Sequence, residues 1–508
     1  MRSRLFIALI WVFLGIMTAT AIILAPGKVK SGRTMLKWTT DSCPERDIQV
    51  ETFNQLNPDC YLQIDPDNSG VMKVVIQSSA HMGPDLIDHV NVDSVQTYAD
   101  SGILWDVSKE AEKMGFGLST LPEKIQPLVK MTTITKDGKL VEGQAGYPCN
   151  IGHITLFYNK NLFDKMNIPY PSSDLTWDEY ISLAQKMTVK TPDDVVPSVF
   201  GAAGTQIKAI IMAKGGKYFN SNATVSLVDS KEFIDAYELY YKLLYEYQIE
   251  PTPHQKTAVS SQGGWGSGFI TWFGEGKVAM MWGSRWILVQ LRRNILHQKE
   301  MREKWLRENP DKDPSEAPEI LRIGCVMLPR FKDHERVVPS YAKCTGINVN
   351  SPNREKALKF LAYLAGKEYS MIINQGADGL PGNKKYNMDM PLLINPDFPG
   401  EEEVHQVEID SIPYGGVTRS SPFVSNMMVN RTMRKVQEKL VATPGMTRDE
   451  IAEELKKAAL EINTAISRNI SRNSKLLKLY SNMLKEGAEP VSVKLEHAAA
   501  QEIIIKHQ

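Results

Sequence analysis

Between Met35 and Asp93, short strand-like runs alternate with helical repeats, and this alternation limits the chain to an α/β architecture with parallel strands. Residues 35–40 predict a first strand that ends in polar residues and Asp41. A helix is expected to about Leu56, a second strand over residues 61–64 and a helix over residues 71–79. Residues 83–88 predict a buried strand that emerges into His89 and Asn91. In such sheets ligands sit beyond the carboxyl ends of the strands, and here those ends carry Thr40, Asp41, His89 and Asn91. Ordinary polar loop residues would read the same way.

The N-terminus carries an address. Arg2 and Arg4 precede an uncharged apolar run from Leu5 to Pro26, about as long as a bilayer core requires. Two outcomes are open: cleavage after the small residues around Ala21, or retention as a membrane anchor. No cysteine lies in or just after the run, so a lipid-modified N-terminal cysteine is not expected. The chain beyond Gly32 is expected to be soluble and exported.

Charge is balanced, with 59 Lys and Arg against 59 Asp and Glu. A chain without net positive charge has no general pull toward phosphate backbones, which argues against a nucleic-acid binder. Cys43, Cys60, Cys149, Cys325 and Cys344 are scattered and form no C-x-x-C pair, so neither a disulfide framework nor a zinc site is indicated.

Helix signals are strong further on. Thr176-Trp-Asp-Glu179 is a capping box, and residues 229–232 open a helix with Phe233, Tyr237, Tyr240 and Leu244 on one stripe, expected as packing. Ser351-Pro352 reads as an N-cap followed by proline at the first helical position. Residues 447–471 predict a long amphipathic helix. Residues 291–318 hold thirteen charges of both signs between Arg292 and Glu316, and predict a solvated helical insertion.

Catalytic signatures are missing. The chain has no phosphate-binding G-x-x-x-x-G-K-[ST] loop, no G-x-G-x-x-G, no G-x-S-x-G and no H-E-x-x-H, and its histidines are too dispersed for a metal site. No catalytic residue, metal or cofactor is nominated. A glycosidase-like carboxylate pair stays open, because carboxylates are plentiful. Aromatic and polar residues gather instead around two extended runs, one holding Asn150 and the other Trp282 and Trp286. A Trp face can stack on the C–H face of a sugar while neighbouring amides and hydroxyls bond its hydroxyls. Two tryptophans can equally be core residues.

An ordered series of segments carries a resemblance. Asp85 within Gly-Pro-Asp-Leu-Ile, the Ala99-Asp-Ser-Gly102 segment and Tyr158-Asn-Lys-Asn-Leu-Phe163 lead into the Thr176 box. Gly276-Lys-Val-Ala-Met280 with Trp286, then Thr345-Gly-Ile-Asn348 and Ala357-Leu-Lys-Phe360, continue it. The series resembles the family 1 extracellular solute-binding proteins of ABC importers, the maltose-binding-protein-like group, over about residues 35–470.

The resemblance implies a two-lobed periplasmic-binding-protein fold of type II, with a sugar held in an interlobe cleft. Residues 1–32 would be the export segment or anchor, 33–150 plus 343–376 the first lobe, 151–342 plus 377–470 the second, and 471–508 a C-terminal tail. By position Thr40, Asp41, His89 and Asn91 match first-lobe ligand loops. Thr205 and Gln206 match a second-lobe cleft segment, Trp286 matches the stacking aromatic, and Asn150 and Tyr341 lie on the chain crossings. The implied partners are a carbohydrate and the permease subunits of an ABC importer, with the membrane reached through the N-terminal helix if uncleaved. The protein is expected as a monomer on the outer side of the cytoplasmic membrane. An exported glycoside hydrolase and an anchored sugar sensor are the alternatives. The resemblance also puts Cys149 and Cys344 on neighbouring crossings, where a bridge near the hinge is one arrangement.

Overall fold

The computed structural model describes residues 32–65, 70–89, 92–191, 196–253, 255 and 267–493. The apolar run 5–26 and Asn91 lie outside these residues. The strands described are β1 (Thr34–Thr39), β2 (Cys60–Asp65), β3 (Leu86–His89), β4 (Lys130–Ile134), β5 (Leu140–Gln144), β6 (Gly146–His153), β7 (Thr155–Asn159), β8 (Phe200–Ala203), β9 (Val278–Gly283), β10 (Ile323–Met327), β11 (Val338–Ile347) and β12 (Gly415–Gly416).

The first lobe grows from β1, which buries Leu36 and Trp38 and pairs in parallel with β2 and β3. Helices Pro44–Leu56 and Val71–Ser79 provide the crossovers, as the alternation predicts. The sheet is not parallel throughout. Strand β11 joins β3 antiparallel, and β6 joins β11 antiparallel with a register shift at Lys343/Cys344. The reason is topological: β6 leaves the lobe and β11 re-enters it, so neither is bound by the right-handed βαβ rule that aligns β1 to β3.

The second lobe holds the order β10-β7-β9-β8, with only β8 and β9 parallel. Both halves of the Thr176–Glu179 capping box are formed at the helix Trp177–Met187, and a second box, Thr447–Glu450, opens the helix Arg448–Arg472. That long helix buries Ile451, Leu455, Ile462 and Ile466 against the core, each worth about 1.5–3 kcal/mol relative to exposure. The stretch after Gly376 is shared: Leu380, Leu393, Ile409 and Ile412 pack in the first-lobe core, while Phe423, Val429 and Met433 pack in the second.

Three local expectations change. The helix after Ser351 starts at Arg354, because the Ser351 hydroxyl is engaged by the buried Asp85 and accepts from the Asn353 N–H at 3.0 Å. The charged segment forms the helix Leu288–Glu308, but its first turns are not solvated. Leu288 and Leu291 are buried, and Arg292 forks onto Glu401. The segment expected as a tail contains the helix Ser474–Lys485, with Leu479 and Tyr480 buried.

All five cysteines are free. Cys344 is paired across the sheet with Pro148 and His89, and the Cys149 thiol bonds the Thr345 hydroxyl at 3.0 Å, so the bridge between them is not made. Thiol titration of the unfolded, unreduced protein should therefore count five free groups. A count of three would restore the bridge.

Candidate functional site

Strand β9 ends at Gly283 and delivers Trp282, Ser284 and, after one tight turn, Trp286 to the wall of a cavity in the second lobe. Beside them, Gly204 takes a left-handed conformation (φ +87°) that presents Thr205 and then Gln206, the latter exposed at the head of the helix Ile207–Ala213. Such a φ suits glycine, which has no Cβ to clash. Thr205, Gln206, Trp282 and Trp286 together line one cavity of about 630 Å³. Tyr218, Tyr237 and Tyr240 reach the same cavity, so the predicted packing stripe on the helix Lys231–Tyr245 serves two ends.

The cavity wall is preorganised by a directed chain of hydrogen bonds. The Trp282 indole N–H donates to the Tyr180 hydroxyl at 3.0 Å, which lies 3.3 Å from the Thr205 hydroxyl. Thr205 in turn donates to the buried Glu250, whose carboxylate also accepts the Gly204 and Thr205 N–H groups at 3.2 Å. With its proton committed to Glu250 and one lone pair taken by the Tyr180 O–H, Thr205 keeps one acceptor position for a ligand. Trp282 is 5% exposed and packs against Trp177 at 5.8 Å, whereas Trp286 is half-buried.

Below the cavity, Glu408 ties the chain crossings together. Fully buried, it accepts from the Ser284 hydroxyl at 2.8 Å, the Arg285 N–H at 2.7 Å and the His153 N–H at 3.1 Å. The His153 ring nitrogen Nδ1 sits 3.3 Å from it and donates too. Because Ser284 gives its proton to Glu408, the Tyr341 hydroxyl on β11 is the donor in its 3.0 Å bond to Ser284. Tyr341 thus joins the returning crossing to the cavity floor.

Thr40, Asp41, His89 and Asn150 do not line this cavity. Thr40 donates to Asp41 at 3.0 Å, and Asp41 pairs with Lys343 and, at 3.5 Å, with Arg46. Arg46 continues to Asp378 at 3.2 Å and lies over the Trp38 ring. Asp88 accepts from the Trp38 indole and the Thr345 hydroxyl, both at 2.6 Å, and faces Lys343 at 3.5 Å. Burial pushes the Asp88 carboxyl up to about 6, against the pull of Arg46. This charged cluster caps the carboxyl ends of β1 and β3. His89 and Asn150 are buried, and neither ring nitrogen of His89 has a partner among the described residues. Burial pulls the His89 imidazole down to about 3. Ser284, Glu250 and Glu408 were not visible from sequence. Ser284 had a signal in its place between two tryptophans, while the two glutamates come from distant segments with no motif.

Two α/β lobes joined by β6–β7 and β11, with a cavity at the crossings, define the two-lobed class of binding proteins. Solved structures agree. An ABC substrate-binding protein from Listeria monocytogenes in complex with cycloalternan has a TM-score of 0.65 at 19% identity, over 85% of this chain and 99% of that one. The maltotriose binding protein of Thermus thermophilus scores 0.61 at 17% identity, over 85% and 100%. The maltose/maltodextrin-binding domain from Bdellovibrio bacteriovorus, bound to maltotriose, scores 0.59 at 17%, over 84% and 99%. The chain belongs to the bacterial extracellular solute-binding protein family, whose model matches residues 44–371.

Proposed function

We propose that the protein captures a carbohydrate in the cavity beside Trp286 and delivers it to an ABC-type permease for import. The observation that carries this reading is that the half-buried Trp286 ring lines one cavity together with Thr205 and the amides of Gln206 and Gln437. A ring face stacks on sugar C–H groups, and fixed polar groups select hydroxyls. The sugar-bound relatives support it. In this reading the closing lobes are residues 33–150 with 343–376 and residues 151–342 with 377–470, the part of 377–470 around Leu380–Ile412 packing on the first lobe, and Thr40, Asp41, His89, Asn91, Asn150 and Tyr341 complete the site from the first lobe and the crossings. Residues 1–32 export the chain and, if uncleaved, tether it. No catalytic step is assigned, and the receptor acts as a monomer.

Calorimetric titration against mono- and oligosaccharides tests the function, and Trp286→Ala tests the site. That variant should lose on the order of 1–3 kcal/mol of sugar affinity, with the fold intact. Unchanged affinity would remove Trp286 from the site.

A further inference from the structure

The helix Asn426–Ala442 turns Asn430, Met433, Arg434 and Gln437 into the cavity, a three-and-four spacing that defines one face. The two lysines of this helix are paired, Lys435 with Glu461 at 3.3 Å and Lys439 with Glu454 at 2.8 Å, while Arg431 is exposed away from the cavity. Arg434 has no ion pair or hydrogen bond among the described residues. Lys208 adds a second cation to the lining, and no Asp or Glu lines the cavity among the described residues. The carboxylates behind the wall do not pair with Arg434. Glu250 and Glu408 are buried and already hold the N–H and O–H donors described above. On the first-lobe side, by contrast, Asp41, Asp88 and Asp378 meet Arg46 and Lys343.

We propose that the ligand is an anionic saccharide whose carboxylate or sulfate ester is taken by Arg434. This rests on the cavity being the sugar site and adds the charge of the sugar. A guanidinium offers paired N–H donors in a planar fork that matches a carboxylate or sulfate, and a concave wall of one sign concentrates the opposite charge. Thr205, Gln206 and Gln437 line the same cavity for neutral hydroxyls, so the unpaired guanidinium of Arg434 selects for an acid. The attraction is screened by salt, because Arg434 is exposed.

The test is calorimetric titration of the full chain with a uronic-acid disaccharide, a sulfated disaccharide and a neutral disaccharide of equal size. Each is repeated on Arg434→Gln and on Arg431→Gln, the latter an exposed arginine of the same helix outside the cavity. The expected result is an acid bound about tenfold or more above the neutral sugar at low salt, a preference erased by Arg434→Gln and kept by Arg431→Gln. The tighter of the two acids identifies the group. Equal or better binding of the neutral sugar, or an acid preference that survives Arg434→Gln, overturns the inference and leaves the sugar receptor standing. Failure of all three sugars, and of a wider neutral panel, overturns both.

Discussion

An Arg285→Met variant is expected to lose about 3–5 kcal/mol of folding stability, the largest effect of any single change outside the hydrophobic cores. Arg285 is fully buried directly before Trp286. Its guanidinium donates to His405 Nδ1 at 3.0 Å and to the Asn374 carbonyl at 2.6 Å. It also reaches the carbonyls of Ile373 and Leu393 at 3.4 Å, and that of Gly379. One side chain therefore satisfies backbone acceptors across the segment that leaves the first-lobe core and passes under the cavity. Methionine fills similar space but donates nothing, so these buried acceptors lose the guanidinium, and only the Asn374 carbonyl keeps a second donor, the Ala377 N–H at 3.4 Å, among the described residues. Urea unfolding followed by fluorescence measures the loss as a lower midpoint. A shift below about 1 kcal/mol would mean water or a neighbour replaces the guanidinium.

Acidification is expected to destabilise the protein through two histidines. Burial pulls His89 down to about 3, and His405 is pulled down to about 2 by burial and then by Arg285 and Arg292. For His405 the geometry gives the same sign, because a nitrogen that accepts from Arg285 cannot also carry a proton. A depressed pKa contributes stability that is present above the unfolded value and lost as pH falls toward the folded one. Between pH 6.5 and 4.5 each histidine should cost about 2–3 kcal/mol. Asp88 opposes them. Its raised value favours the native state below the unfolded pKa, a contribution lost as pH rises through about 6, so it returns about 2 kcal/mol over the same acid range. The net expected loss is about 3 kcal/mol, read from urea midpoints across the pH range. Asp88→Asn should steepen the acid loss. Stability that is flat or rising on acidification would contradict the neutral buried state of both histidines.

The strands and helices around β1 to β3 were legible because their signals are local. Alternation, a proline start and buried apolar runs each act within a few residues, as do the two capping boxes at Thr176 and Thr447. Trp286, Thr205 and Gln206 were reached by position within the ordered segments, and the fold brings them to one cavity. The antiparallel entry of β6 and β11 was not legible, since strand direction follows from where the chain has been. Nor was the start of the helix at Arg354. Ser351 has the composition of a cap, but the hydroxyl is taken by Asp85, far away in sequence.

By itself, then, the sequence determined the α/β class and the positions of most elements. These follow from propensity, periodicity and capping, which depend on near neighbours. Only the tertiary structure decided which polar groups are spent and which are free. It commits the Thr205 proton to Glu250, gathers His153, Ser284 and Arg285 on Glu408, and pairs Asp41 with Lys343. It also leaves Arg434 facing the cavity without a counter-charge among the described residues. Charge compensation is a property of three-dimensional neighbours, so a chain balanced at 59 against 59 can still present a wall of one sign.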